Sequence, residues 1–165
     1  MRIIFMGTPI FALPSLEKIY KEHEIISVFT KVDKPNARGK KINYSPIKEF
    51  ALANNLKIYQ PENFKDETLI EEIKNMQPDL IVIVAYGKIL PKEIIDIPKY
   101  GVINLHSSLL PRFRGAAPIN AAIINGDKKS GVSIMYVEEE LDAGDVILQE
   151  ETEITDEDTF QSLHD

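Results

Sequence analysis

Apolar residues come in short blocks separated by polar, Pro- and Gly-bearing punctuation, and the spacing inside the blocks switches between strand and helix periods. Residues 2–6, Arg-Ile-Ile-Phe-Met, predict a buried strand that ends at Gly7-Thr8-Pro9. Thr8 is placed there to cap a helix, with Pro9 tolerated at its first position. Ile10, Leu13, Leu16 and Ile19 mark an apolar helical face, and Pro14 either kinks that helix or delays its start. Residues 25–30 read as a second strand, residues 32–44 as a long loop, and Ser45-Pro46 opens a helix running to Asn54. A short strand at 56–59 follows, then a helix outlined by Leu69, Ile73 and Met76.

Residues 79–85 contain Leu80-Ile81-Val82-Ile83-Val84, apolar at every position, which is the pattern of a strand covered on both faces of a parallel sheet. That strand is expected to be central. Further strands are expected at 101–105, 132–137 and 146–154, with a helix at 118–125 closed by Gly126. The alternation predicts an α/β fold of Rossmann-like, doubly wound type: a mostly parallel sheet with helices on both faces, finishing in a β-rich section open to antiparallel pairing. Thr155 is placed as the cap of a last helix with Phe160 and Leu163 on its apolar face. Because so short a helix is marginal alone, we expect residues 1–165 to be one domain cut within a larger protein.

Composition narrows the function classes. A formal charge of −7 argues against a generally nucleic-acid-binding surface but leaves room for a local basic patch. Such a patch exists in the sequence: Lys31, Lys34, Arg38, Lys40, Lys41 and Lys48 face the single acid Asp33, whereas residues 133–165 contain neither Lys nor Arg. The absence of cysteine excludes a disulfide framework and a thiolate metal site, and 3 histidines make a polyhistidine site a poor reading, so no metal is expected. The first residues have the charge and apolar stretch of a secretory signal, but Gly7-Thr8-Pro9 interrupts it. No other segment approaches membrane-spanning length, so no membrane partner is expected. The run Gly7-Thr8-Pro9-Ile10-Phe11-Ala12 also departs from the dinucleotide fingerprint, since Pro9 and Ala12 stand where it requires glycine.

Candidate chemistry lies near the carboxyl end of the strand at 101–105. Asn104 and His106 are two residues apart, so in extended geometry both side chains leave the same face, at the strand end where open α/β sheets bind ligands. Asn104 offers an amide donor, His106 a group that changes protonation near neutrality, and Asp142 a carboxylate able to orient it. Together they suit attack of an amine on a carbonyl carbon. An isolated Asn-x-His is more often an ordinary loop pair, and the neighbouring residues are what change the reading.

Asn104-x-His106-x-Ser108-Leu109-Leu110-Pro111-x-x-Arg114-Gly115, followed by Asp142-x-Gly144, resembles the folate-dependent formyltransferase family. Gly7-Thr8-Pro9-x-Phe11-Ala12, Arg38-Gly39-Lys40-Lys41, residues 85–91 and residues 115–119 resemble the branch that acts on aminoacyl-tRNA, and the likeness runs over essentially the whole chain. Departures are small: Ser107 where Gly or Ala is usual, Phe113 where Trp is common, Asn120 where Gln is common and Ser133 where Thr is common. The resemblance implies a formyltransferase fold that is incomplete at its C-terminus, a further β-barrel domain being absent.

For function, the resemblance implies formyl transfer from 10-formyltetrahydrofolate to the amino group of initiator methionyl-tRNA, in the cytoplasm, by a protein expected to be a monomer. Asn104 and protonated His106 would hydrogen-bond the tetrahedral oxyanion, and Asp142 would raise the proton affinity of His106, orient it and collect the amine's proton through water. The resemblance places folate contacts at Tyr86, Lys88, Ile89 and Leu90, at Ser108, Leu109, Leu110 and Pro111, and at Glu138. From the residues alone, Ile89 and Leu90 are as well read as core packing, and Tyr86 as a core aromatic. Arg38, Lys40 and Lys41 are the expected tRNA contacts, joined by Arg112 and Arg114, for which the folate tail is the alternative partner. Two alternatives remain: a formyltransferase for another amine, such as a sugar nucleotide or glycinamide ribonucleotide, and a folate-binding fragment without turnover.

Overall fold

A computed structural model of the chain describes residues 1–35 and 41–165 and divides it into two compact units, Met1–Val102 and Ile103–Asp165. In the first unit, strands β1 (Arg2–Gly7), β2 (Glu24–Phe29), β5 (Ile58–Tyr59) and β6 (Leu80–Val84) pair in the order β5-β2-β1-β6, every pairing parallel. Strand β1 is flanked on both sides, and its apolar run is buried throughout: Ile3, Ile4, Phe5 and Met6 are at most 1% exposed. Strand β6 fits the same logic. Ile81, Val82, Ile83 and Val84 are buried, and beyond its pairing with β1 the Ile81 N–H donates to the Gly101 carbonyl at 3.2 Å.

Helices α1 (Leu13–Glu22), α2 (Pro46–Ala53), α3 (Glu67–Met76) and the single turn α4 (Lys92–Ile95) belong to this unit. The expected Thr8 cap is corrected. A 3-10 turn at Ile10–Ala12 precedes α1, Pro14 lies in the first turn of α1, and the Thr8 hydroxyl instead donates to the Tyr86 carbonyl while accepting from the Lys31 N–H. Proline's missing N–H is harmless only in a first turn, so the helix starts late rather than kinking. Gly7 serves close packing: a Cβ there would come within 2.8 Å of the Val84 carbonyl and 2.9 Å of the Ala12 Cβ. Ser45 caps α2, accepting from the Lys48 N–H at 3.1 Å.

The segment expected to be a long loop contains a two-stranded antiparallel pair, β3 (Lys34–Pro35) with β4 (Ile42–Asn43). Its base is pinned by Lys48, whose Nζ bonds Asp33 and Gln60 and sits 4.0 Å from the centroid of the Tyr44 ring.

The second unit is antiparallel. Strand β7 (Val102–His106) pairs with β8 (Lys129–Tyr136), which pairs with β9 (Val146–Glu153); helix α5 (Pro118–Ile124) lies between β7 and β8 in the chain. The β8–β9 connection is tight enough that a Cβ on Gly144 would collide with the Tyr136 carbonyl. The last helix, α6 (Phe160–His164), begins later than expected and is capped by Thr159, not Thr155. Thr159 and Ser162 form a reciprocal capping box, and Thr155 is drawn into a turn by donating both its N–H and its hydroxyl to Asp158. No helix among the described residues is long and apolar enough to cross a membrane.

Candidate active site

Strand β7 delivers Asn104 and His106 to one face two residues apart, opposite Met135 and Ser133 of β8. His106 is buried, and its Nε2 lies 2.9 Å from the Phe113 carbonyl. A carbonyl only accepts, so Nε2 carries the proton in that contact. Nδ1 faces the Asp142 Oδ2 at 3.7 Å, within ion-pairing range when the ring is charged but too long for a hydrogen bond; both side chains are 8% exposed. Asp142 is itself anchored, because its Oδ2 accepts the Gly115 N–H at 2.7 Å. Half-buried Asn104 has no side-chain hydrogen bond to another described residue, which leaves its amide available to a ligand.

The chain between His106 and Gly115 is held from several sides. The Ser108 hydroxyl donates to the Arg112 carbonyl at 2.7 Å, Ser133 Oγ donates to the Ser108 carbonyl at 2.6 Å, and the Leu110 N–H donates to Ser133 Oγ at 3.1 Å. Phe113 and Asp142 both adopt positive φ, at 55° and 50°, a backbone state uncommon outside glycine that points to local constraint around the histidine. Among the described residues no group of acidic and imidazole side chains is arranged to hold a metal. Of the folate candidates in this unit, Ser108 and Leu110 are buried, Leu109 is half-buried, and Pro111 and Glu138 are exposed.

The remaining folate candidates belong to the first unit. Tyr86 is fully buried beside Phe64, and its hydroxyl has no hydrogen-bond partner among the described residues, so the side chain sits as a core aromatic. Burial also pushes that phenol well above its ordinary pKa. Lys88 Nζ donates to the Glu62 carbonyl, Leu90 is buried, and Ile89 is 77% exposed, so of this trio Ile89 is the apolar side chain left free for a partner.

Of the expected tRNA contacts, Arg38 and Lys40 lie outside the described residues and Lys41 is exposed. Arg112 pairs with Asp127 at 3.0 Å and lies 5.0 Å from the Phe113 ring centroid, while Arg114 pairs with Glu140 at 3.6 Å. Both arginines therefore carry partly compensated charge. The sequence reading missed Gly115 as the anchor of Asp142, the Phe113 carbonyl as the partner of His106, and Gln149, which donates to both the Leu110 carbonyl and Ser133 Oγ. Two of these act through the backbone and have no side-chain signature. Gln149 was recoverable only from strand register.

Comparison with known proteins bears on family and fold. A family profile described as formyl transferase matches residues 1–165. The chain belongs to the formyl transferase family. It is 93% identical over 165 residues to methionyl-tRNA formyltransferase of Fusobacterium nucleatum, covering 100% of this chain and 53% of that protein. It is 55% identical over 166 residues to methionyl-tRNA formyltransferase of Alkaliphilus oremlandii, covering 100% of this chain and 54% of that protein. The chain thus spans about half the length of the relatives it matches. Among solved structures, phosphoribosylglycinamide formyltransferase from Bacillus halodurans superposes with a TM-score of 0.81 at 23% identity, over 99% of this chain and 85% of that one. A formyltetrahydrofolate deformylase from Pseudomonas syringae gives 0.78 at 26%, over 98% and 54%. The expected formyltransferase fold is therefore the observed one.

Proposed function

We propose that this formyl transferase chain carries the catalytic groups that move a formyl group from 10-formyltetrahydrofolate to the amino group of initiator methionyl-tRNA, as part of a longer cytoplasmic protein. The observation that carries the reading is the buried His106–Asp142 pair, with His106 two residues along the same strand from an Asn104 amide that has no partner among the described residues. The donor supplies an electrophilic formyl carbon. Asn104 and protonated His106, the latter through an Nδ1–H because its Nε2–H is held by the Phe113 carbonyl, are the donors to the oxygen that gains charge as the amine adds, a role worth roughly 3–4 kcal/mol per donor. Asp142, fixed by the Gly115 N–H, holds its carboxylate beside His106 and offers a route for the departing amine proton through water; collapse of the adduct then breaks the bond from the formyl carbon to the folate nitrogen, which takes up a proton and leaves as tetrahydrofolate.

Exposed Ile89 with Lys88 and Leu90, the chain from Ser108 to Pro111, Glu138 and Tyr86 are the proposed folate contacts. Tyr86 can contribute only through its backbone, because its ring is buried. Arg38, Lys40, Lys41, Arg112 and Arg114 are the proposed phosphate contacts. The relatives named above support the choice of acceptor, since both are methionyl-tRNA formyltransferases. Incubation with 10-formyltetrahydrofolate and methionyl-tRNA should yield formylmethionine, and His106→Ala should lower turnover about a hundredfold or more. Undiminished turnover in that variant, or transfer to glycinamide ribonucleotide in preference to methionyl-tRNA, would refute the assignment.

A further inference from the structure

One rung of the antiparallel sheet carries hydrogen bonding that the chemistry above does not use. His106 on β7 is directly opposite Ser133 on β8, and Ser133 is directly opposite Gln149 on β9. Directly opposed residues project from the same face, so the three side chains stand in a row. Ser133 Oγ donates to the Ser108 carbonyl at 2.6 Å and accepts from the Leu110 N–H at 3.1 Å and from Gln149 Nε2 at 2.8 Å. One donor and two lone pairs are all that a hydroxyl has, so Ser133 is fully satisfied. Gln149 gives its other amide hydrogen to the Leu110 carbonyl at 2.9 Å. Both main-chain groups of Leu110 therefore end on this pair.

The same stretch of chain goes on to meet the histidine. Ser108 Oγ holds the Arg112 carbonyl, and the next carbonyl, that of Phe113, accepts from His106 Nε2. Packing supports the arrangement: a Cβ on Gly131, two residues before Ser133 on the same face, would meet the Leu109 side chain and the Glu150 carbonyl, so the loop lies down on the strand there. Hydrogen bonds run from Gln149 through Leu110 and Ser133 to Ser108 and Arg112, and the main chain carries the constraint one residue on to the Phe113 carbonyl that holds the imidazole.

We propose that Gln149, acting through Ser133 and residues 108–113, is a positioning residue for His106. The inference rests on the proposed function for its consequence in turnover, but its structural content can be read without turnover. With both amide hydrogens gone, the Leu110 carbonyl is left without its partner and the loop is free to shift, and a displacement of about 1 Å costs ten- to a hundredfold in rate. Gln149 does not touch the reacting atoms and is not a catalytic residue.

The test uses the whole chain labelled with nitrogen-15, following solvent exchange of the His106 Nε2 proton beside steady-state formyl transfer. Gln149→Glu keeps the shape of the side chain and removes both hydrogens; Gln149→Leu removes them with an apolar group, at an exposed strand position where folding is expected to survive. Both should speed exchange of the Nε2 proton about tenfold or more and lower kcat at least about tenfold, with KM for methionyl-tRNA within about twofold. Ser133→Ala should behave alike, and Ser133→Thr, which keeps the hydroxyl, should retain slow exchange and full kcat. Unchanged proton exchange in both Gln149 variants overturns the proposal, as does faster exchange with unaltered kcat. If the parent chain transfers no formyl group, the functional assignment fails and the exchange result alone decides this inference.

Discussion

Strand β1 of the first unit and the strands around His106 in the second bury different things. In Met1–Val102 the central strand β1 is apolar from Ile3 to Met6 and pairs in parallel on both sides, so what it takes from water is almost purely hydrocarbon and main chain. In Ile103–Asp165 the buried groups include His106, Ser108, Ser130 and Ser133, of which Ser108 and Ser133 are hydrogen-bonded to each other and His106 bonds the carbonyl of Phe113 on the same loop. Hydrocarbon burial is non-directional and scales with area, about 1.5–3 kcal/mol for each large side chain. Polar burial is neutral at best and costly when any partner is lost, but it fixes atoms at defined positions. The first unit is therefore built to be stable and the second to hold a constellation in place.

The comparison breaks first at Phe5. Phe5→Ala empties a fully buried site on β1 and should cost about 3–5 kcal/mol, read as a lower urea midpoint. A loss under about 1 kcal/mol would mean that this strand is not the reservoir of stability. Ser133→Ala is the matching change in the polar unit. It strands the Leu110 N–H and one hydrogen of Gln149, which should cost about 1–3 kcal/mol, and should disturb turnover more than its stability loss accounts for. Equal losses of folding and turnover would erase the distinction between the units.

Legibility followed the same division. Where physics is periodic, the sequence was sufficient: the uninterrupted apolar run at residues 80–84 predicted β6 with both faces covered, and Ser45-Pro46 predicted the start of α2. Helix starts failed where several capping residues compete, so Thr159 rather than Thr155 caps α6, and Thr8 serves a loop instead of α1. In the candidate site, Asn104, His106 and Asp142 were legible because their side chains carry the chemistry. The Phe113 carbonyl and Gly115 N–H were not, since every residue has such groups and only the fold selects among them. Gln149 lay in between, visible once β8 and β9 are set in register.

Tyr86 sharpens the contrast from the first unit, where buried Ser27 and Thr30 are hydrogen-bonded but the Tyr86 hydroxyl is not, among the described residues. Its hydroxyl is buried with no partner among the described residues, and burial raises the phenol's pKa far above the working range, so the group stays neutral at any physiological pH. Tyr86→Phe should then be neutral or stabilising by up to about 1 kcal/mol, a rise of roughly 2–4 °C in Tm. A clear loss of stability would mean that the hydroxyl has a partner in solution, such as an ordered water.

The smallest expected effect concerns Lys48–Asp33, the least exposed ion pair of the first unit among the described residues. The hydrogen bond from Lys48 is the main cause holding the Asp33 carboxyl below the usual carboxylate range, with Gln60 adding to it and partial burial opposing it. A depressed folded pKa means that the stabilisation is complete above the ordinary carboxylate pKa and disappears as pH falls through the lower folded value. Asp33→Asn should therefore cost up to about 1 kcal/mol at neutral pH, since the pair keeps 13% and 20% of its side-chain exposure and is partly screened. The parent and variant stability curves should converge in acid and remain parallel above about pH 6. Curves that differ by the same amount in acid as at neutrality would show that Asp33 acts there through shape and neutral hydrogen bonding, leaving charge with no part in holding the base of the basic loop.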